Sequence, residues 1–165
     1  MCQIIRALSL AVVATFSMGV MAEAEYVTVE LEIDINASAE DAWAKVGSFC
    51  GITDWMGLPC ELTSGSGEIG TVRSLLNGRI TEVLVGKTPL SYGYTMPSVD
   101  GEFYNLYHGF MEARPVTATT SKMVYTLVWD VSNHPDQAAK DADAEGRRAT
   151  FTGALQGIKA FVEGN

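Results

Sequence analysis

One helix-length apolar stripe occurs in this chain, and it comes last. Phe151, Leu155, Ile158 and Val162 recur at the spacing of one helix face. They lie in a segment that reads as a single long helix from about Pro135, a residue suited to a first turn. Most of what precedes it is written in a period of two. From Tyr26 to Ile35, Val27, Val29, Leu31, Ile33 and Ile35 face one way and Thr28, Glu30, Glu32 and Asp34 the other, the pattern of a half-buried strand. Further strands are predicted near 60–64, 71–76, 79–85, 91–96, 102–113 and 123–131. Short loops rich in Gly, Pro or Ser separate them, which predicts an antiparallel meander. Between the first strand and this meander the period switches to helical over Asn36–Val46, with Ser38 as N-cap and Asp41 three residues on. Phe49–Trp55 reads as a second short helix or turn. The class is α+β. A long sheet must bury its apolar face, and one terminal helix can grip it without covering it completely. A hydrophobic cavity is the natural product of that layout. Gly153 and Gly157, one turn apart, either let the helix approach the sheet, leave space for a ligand, or mark a kink.

A charged pair sits inside the meander. Asn77-Gly78 is a strong hairpin signal, because a type I′ turn needs positive φ at both central positions. A two-residue loop sets Leu76 opposite Arg79, Leu75 opposite Ile80 and Arg73 opposite Glu82. Arg73 and Glu82 then share a face with Leu75, Ile80 and Leu84. Either they form a cross-strand salt bridge at a solvated rim, contributing under about 1 kcal/mol, or they line a binding cavity.

Residues 1–24 read as a signal peptide. Arg6 precedes an apolar stretch from Ala7 to Met18, and small residues follow at Val20–Ala24. That stretch is short of the roughly 20 residues a membrane span needs. The expected location is therefore periplasmic or secreted, with no stable membrane insertion after processing, and residues 25–165 form one domain of ordinary size. A formal net charge of −9 leaves no basic stripe for nucleic acid. Cys50 and Cys60, the cysteines left after processing, make a candidate disulfide in an oxidising compartment. No zinc ligand set, calcium loop, Ser-His-Asp or Cys-His arrangement, phosphate-binding loop or dinucleotide fingerprint is present, so neither metal nor cofactor is expected. Asp141, Asp143 and Glu145 read as a solvated helix face, and His134 as an exposed loop residue. The strand around His108 is apolar on both faces and does not declare which one is inward.

Several segments in order resemble the SRPBCC superfamily (Bet v 1-like, START-related), nearest its polyketide-cyclase-like and MxaD-like branch. They are Val29 to Phe49, where a strand runs into a helix carrying Trp43; Gly67 to Arg73; Gly78 to Leu84; Leu90 to Tyr94; and the helix ending at Phe151 to Lys159. The chain departs from that pattern in lacking a His within Asp54–Cys60, and in having Tyr125 where a strand Trp is common. The resemblance implies a helix-grip fold: a curved antiparallel sheet wrapped around a long C-terminal helix, two short helices after the first strand, and a ligand cavity between sheet and helix. It also implies that Arg73 and Glu82 point inward.

The expected function is binding of a small hydrophobic ligand, aromatic, polyketide-like or lipid-like, with Arg73, Glu82, Tyr92, Tyr94, Tyr107 and Trp129 as candidate contacts. A cyclase or dehydratase is the enzymatic alternative, with Glu82 as base and Arg73 stabilising an enolate. Pairing with Arg73 is expected to lower the Glu82 pKa and make it a poor base. The MxaD-like resemblance adds a third reading, an accessory protein to a periplasmic enzyme.

Overall fold

The computed structural model describes residues 23–99 and 106–164. Residues 1–22 of the expected leader, and the start of the strand expected over 102–113, lie outside them. The elements are β1 (Tyr26–Ile35), α1 (Ala39–Val46), α2 (Ile52–Met56), β2 (Cys60–Ser64), β3 (Val72–Leu75), β4 (Ile80–Thr88), β5 (Ser91–Thr95), β6 (Tyr107–Pro115), β7 (Ser121–Asp130) and α3 (Gln137–Glu163). The seven strands form one antiparallel sheet in the order β1-β7-β6-β5-β4-β3-β2. Strands β2 to β7 run as the expected meander, and β1 joins at its far edge by pairing with β7. This is the helix-grip arrangement. No helix among the described residues is long and apolar enough to cross a membrane.

The starts of α1 and α3 are capped by side chains, whereas α2 begins at Gly51 without one. The Ser38 hydroxyl oxygen accepts the Asp41 N–H at 3.1 Å and donates to the Asp41 carboxylate at 2.6 Å. At α3 the cap is Asp136, whose carboxylate accepts the Ala139 N–H at 2.8 Å. Pro135 therefore stands just before the cap instead of inside the first turn.

The grip is strongest at the C-terminal half of α3. Leu155, Ile158 and Val162 are buried there, each contributing about 2 kcal/mol. Three polar ties hold the same end to the β1–α1 junction. Lys159 Nζ donates to the Asp34 carbonyl at 2.6 Å, Lys45 Nζ to the Val162 carbonyl at 2.6 Å, and the Asn36 N–H to Glu163 Oε1 at 2.9 Å. The first half of α3 carries small residues toward the sheet and leaves space beneath it. Gly157 serves α2 and not the sheet, since a Cβ there would collide with the Trp55 carbonyl oxygen. A Cβ on Gly153 would meet nothing within 4 Å, and neither glycine lines that space.

The β3–β4 register is the expected one, Leu75 opposite Ile80 and Arg73 opposite Glu82. Its turn is wider than two residues. Leu76, Asn77 and Gly78 all have positive φ (53°, 58° and 93°), and the ladder stops at Leu75 without pairing Leu76 to Arg79. The Leu76 N–H is committed elsewhere: it donates to the Pro59 carbonyl at 3.0 Å. The left-handed backbone at Leu76 costs about 1 kcal/mol, and its side chain becomes part of a cavity wall.

Candidate functional site

A cavity of about 750 Å³ lies between the concave face of the sheet, α2 and the first half of α3. Three groups of side chains build it. From the sheet come Arg73, Leu75, Glu82, Tyr94, Tyr107 and Tyr125. From the α2 segment come Ile52, Trp55, Met56 and Leu58. From α3 come Ala142, Gly146, Thr150 and Ala154, small residues four apart that keep one helix face open. Phe151 closes the side of this face, its ring 4.7 Å from that of Tyr125.

The α2 wall is bounded by a disulfide. Cys50 and Cys60 are joined, with Cα atoms 5.6 Å apart, and all four wall residues from this segment fall between them. The Thr53 hydroxyl donates to the Leu58 carbonyl at 2.9 Å and fastens the loop internally. Replacing both cysteines with serine is expected to lower stability by about 2–3 kcal/mol in urea unfolding, through the freed loop entropy of the unfolded chain. A variant as stable as the parent would show that the bond constrains nothing.

Arg73 is enclosed. It has 0% exposure, and its Nε and Nη2 converge on one oxygen, Glu82 Oε2, at 2.7 and 2.6 Å. Only Nε is aligned as a hydrogen-bond donor to that oxygen. Nη1 donates to the Phe49 carbonyl. The Phe49, Tyr94 and Tyr92 rings surround the guanidinium with centroids 4.2, 5.0 and 5.9 Å from Cζ. Burial opposes its charge, but Tyr92 and Glu82 outweigh that and hold its pKa above the ordinary arginine value. Glu82 goes the other way from expectation. Its pKa is raised, because loss of solvent outweighs the lowering by Arg73.

Next to the ion pair is a row of phenols. Tyr94 and Tyr125 hydroxyls lie 2.7 Å apart, and the Tyr107 ring is 6.2 Å from that of Tyr94. Gly109 makes this row possible: it lies opposite Tyr94 in the β5–β6 ladder, and a Cβ there would collide with the Tyr94 phenol. Tyr107, Gly109, Met111 and Ala113 are buried, whereas His108 and Phe110 share the outer face and stack there.

Of the six sequence candidates, Arg73, Glu82, Tyr94 and Tyr107 line the cavity. Tyr92 does not; it is buried behind Arg73, packed against Trp43 and Phe49. Trp129 lines a smaller neighbouring cavity of about 270 Å³ with Tyr107, His134, Asp143 and Arg147. There the reading of Asp143 as solvated gives way. Its carboxylate accepts the Trp129 Nε1–H at 2.7 Å and the Arg147 Nε–H at 3.1 Å, and lies 3.4 Å from His134 Nε2. Burial acts against its charge, but Trp129 and Arg147 together hold its pKa below the usual aspartate value. The Arg147 guanidinium packs over the Trp129 and Tyr107 rings at 4.9 and 5.2 Å. Tyr125, Arg147 and the α2 side chains escaped the sequence reading. Tyr125 had a signal, since it shares the inward face of β7 with Met123, Leu127 and Trp129.

Comparison with known proteins agrees with this geometry. Among curated proteins no sequence matches. Among solved structures, a protein from Thermobifida fusca superposes with a TM-score of 0.68 at 22% identity, over 82% of this chain and 92% of that one. Ara h 8.0201 gives 0.64 at 16% identity, over 86% and 100%. Norcoclaurine synthase from Thalictrum flavum, in complex with dopamine and hydroxybenzaldehyde, gives 0.63 at 15% identity, over 95% and 98%. These likenesses establish the fold. Residues 26–163 match the family model described as polyketide cyclase / dehydrase and lipid transport. The chain therefore belongs to that family, within the SRPBCC superfamily of Bet v 1-like helix-grip proteins.

Proposed function

We propose that this protein binds a small hydrophobic molecule, aromatic, polyketide-like or lipid-like, in the cavity between the sheet and α3, and that it does so in the periplasm or outside the cell. One observation carries the binding reading: an apolar cavity of about 750 Å³ whose deep charged groups, Arg73 and Glu82, already neutralise each other. A structural neighbour holding dopamine and hydroxybenzaldehyde is in keeping with an aromatic ligand. The location rests on the basic, apolar and small-residue pattern of residues 1–24.

The test is native mass spectrometry of the protein expressed with its own leader, alongside titration with the neutral dye Nile red. A retained small molecule, or saturable dye enhancement lost in Ala154→Phe, is the expected result, since Ala154 is buried and lines the cavity. A clean apo mass together with no dye binding defeats the proposal. A mass for the mature chain beginning near residue 25 tests the leader.

An enzymatic reading is favoured by one specific feature, the raised pKa of Glu82 at the cavity wall. It moves the carboxylate toward the range of a general base. Glu82→Gln separates the two readings: an enzyme keeps ligand and loses turnover, whereas a pure binder has no turnover to lose.

A further inference from the structure

The ion pair does not present its two members equally to the cavity. Arg73 has no exposed side-chain surface: Nε donates to Glu82 Oε2, Nη1 donates to the Phe49 carbonyl, and Nη2, 2.6 Å from Oε2, makes no hydrogen bond but is itself buried. Although it borders the cavity, its guanidinium packs against the Phe49 and Tyr94 rings and has no exposed surface. The Glu82 side chain is 7% exposed. Both Arg73 contacts fall on Oε2, and Oε1 accepts no hydrogen bond from any described residue. What the cavity offers at this point is therefore a partly exposed carboxylate oxygen to which no described residue donates. A ligand that fills the cavity takes this acceptor out of water, and one that brings its own donor avoids the cost of leaving it unmade.

We propose, resting on the binding reading above, that the cavity takes neutral ligands with a hydroxyl group, which donates to Glu82 Oε1, and discriminates against carboxylates. A carboxylate at this position would meet another carboxylate, and the one Arg73 nitrogen without a hydrogen bond, Nη2, is buried out of its reach. An ammonium would give up its hydration to lie beside an ion pair whose cation is already close. The Tyr94 and Tyr125 hydroxyls lie 2.7 Å from each other, and neither makes a hydrogen bond to Glu82. The remainder of the wall is mostly apolar (Leu75, Met56, Phe151), and its charged members, Asp143 and Arg147, are paired with each other.

Four probes on one ring system test this: 1-pyrenemethanol, its methyl ether, 1-pyrenecarboxylate and 1-pyrenemethylamine, titrated into the wild-type protein by fluorescence, with Nile red as a probe of the cavity alone. The alcohol is expected to bind about tenfold tighter than each of the other three, the value of one hydrogen bond to a charged acceptor. In the double variant Arg73→Leu/Glu82→Leu its advantage over the ether is expected to vanish while Nile red still binds. Equal affinity of alcohol and ether, tighter binding of the acid or amine, or an advantage that survives in the double variant each overturns the inference and leaves the cavity standing. Absence of binding by Nile red and all four pyrenes overturns the binding reading itself.

Discussion

Above pH 10 this protein is expected to lose stability steeply. Tyr92, Tyr94, Tyr107 and Tyr125 all have pKa values above the ordinary phenol value of 10.0, with burial the leading cause in each, and Tyr107 is pushed up to about 12. Unfolded, the same phenols ionise near 10.0, so above that pH the unfolded chain has released protons that the folded chain keeps. Their contribution is intact below pH 10 and falls as pH rises. Each phenol contributes a slope of about 1.4 kcal/mol per pH unit, and the four together about 5 kcal/mol per unit. A typical stability of about 5–15 kcal/mol is exhausted within a few units. In an alkaline titration followed by tyrosinate absorbance and far-ultraviolet circular dichroism, four of the six tyrosines should ionise in one step, coincident with loss of structure. Gradual ionisation of all of them with the dichroism intact would contradict the burial of this row.

The second large effect belongs to Arg73. Arg73→Leu leaves the Glu82 carboxylate buried without its cation and the Phe49 carbonyl without its donor, and should lower stability by about 3–5 kcal/mol in urea unfolding. Adding Glu82→Leu should restore most of that loss, because neither charge then remains in the apolar site. The rim alternative makes the opposite forecast, a cost under about 1 kcal/mol for the single change and no recovery in the double.

The two-residue period of strands made most of the sheet legible. Once Asn77-Gly78 was recognised as a turn, pairing of Arg73 with Glu82 followed from counting, and the register survived even though the turn proved wider. Alternation alone put Tyr94 on an inward face with Tyr92. Separating them required the third dimension, since Phe49 and Arg73 come between Tyr92 and the cavity. The Asp143 cluster was hidden for a different reason. Its partners Trp129 and His134 lie on a strand and a loop before α3, and a polar residue on a helix carries no local mark of a hydrogen bond made across that gap. Gly153 and Gly157 drew attention because glycine is costly in a helix. The open face uses Ala142, Gly146, Thr150 and Ala154, where side-chain size and not backbone freedom matters.

The disulfide-bounded wall gives the cavity a modular edge. Ile52, Trp55, Met56 and Leu58 all belong to one short ring of chain closed at Cys50 and Cys60. Its neighbours in the sheet are held by ladders that do not depend on those four side chains. Exchanging Ile52, Trp55, Met56 and Leu58 while keeping Pro59, whose carbonyl accepts the Leu76 N–H, would redraw the cavity outline and leave Arg73, Glu82 and the tyrosine row in register. Under the proposed binding function, selectivity for ligand shape and selectivity for ligand polarity would reside in separate stretches of the chain.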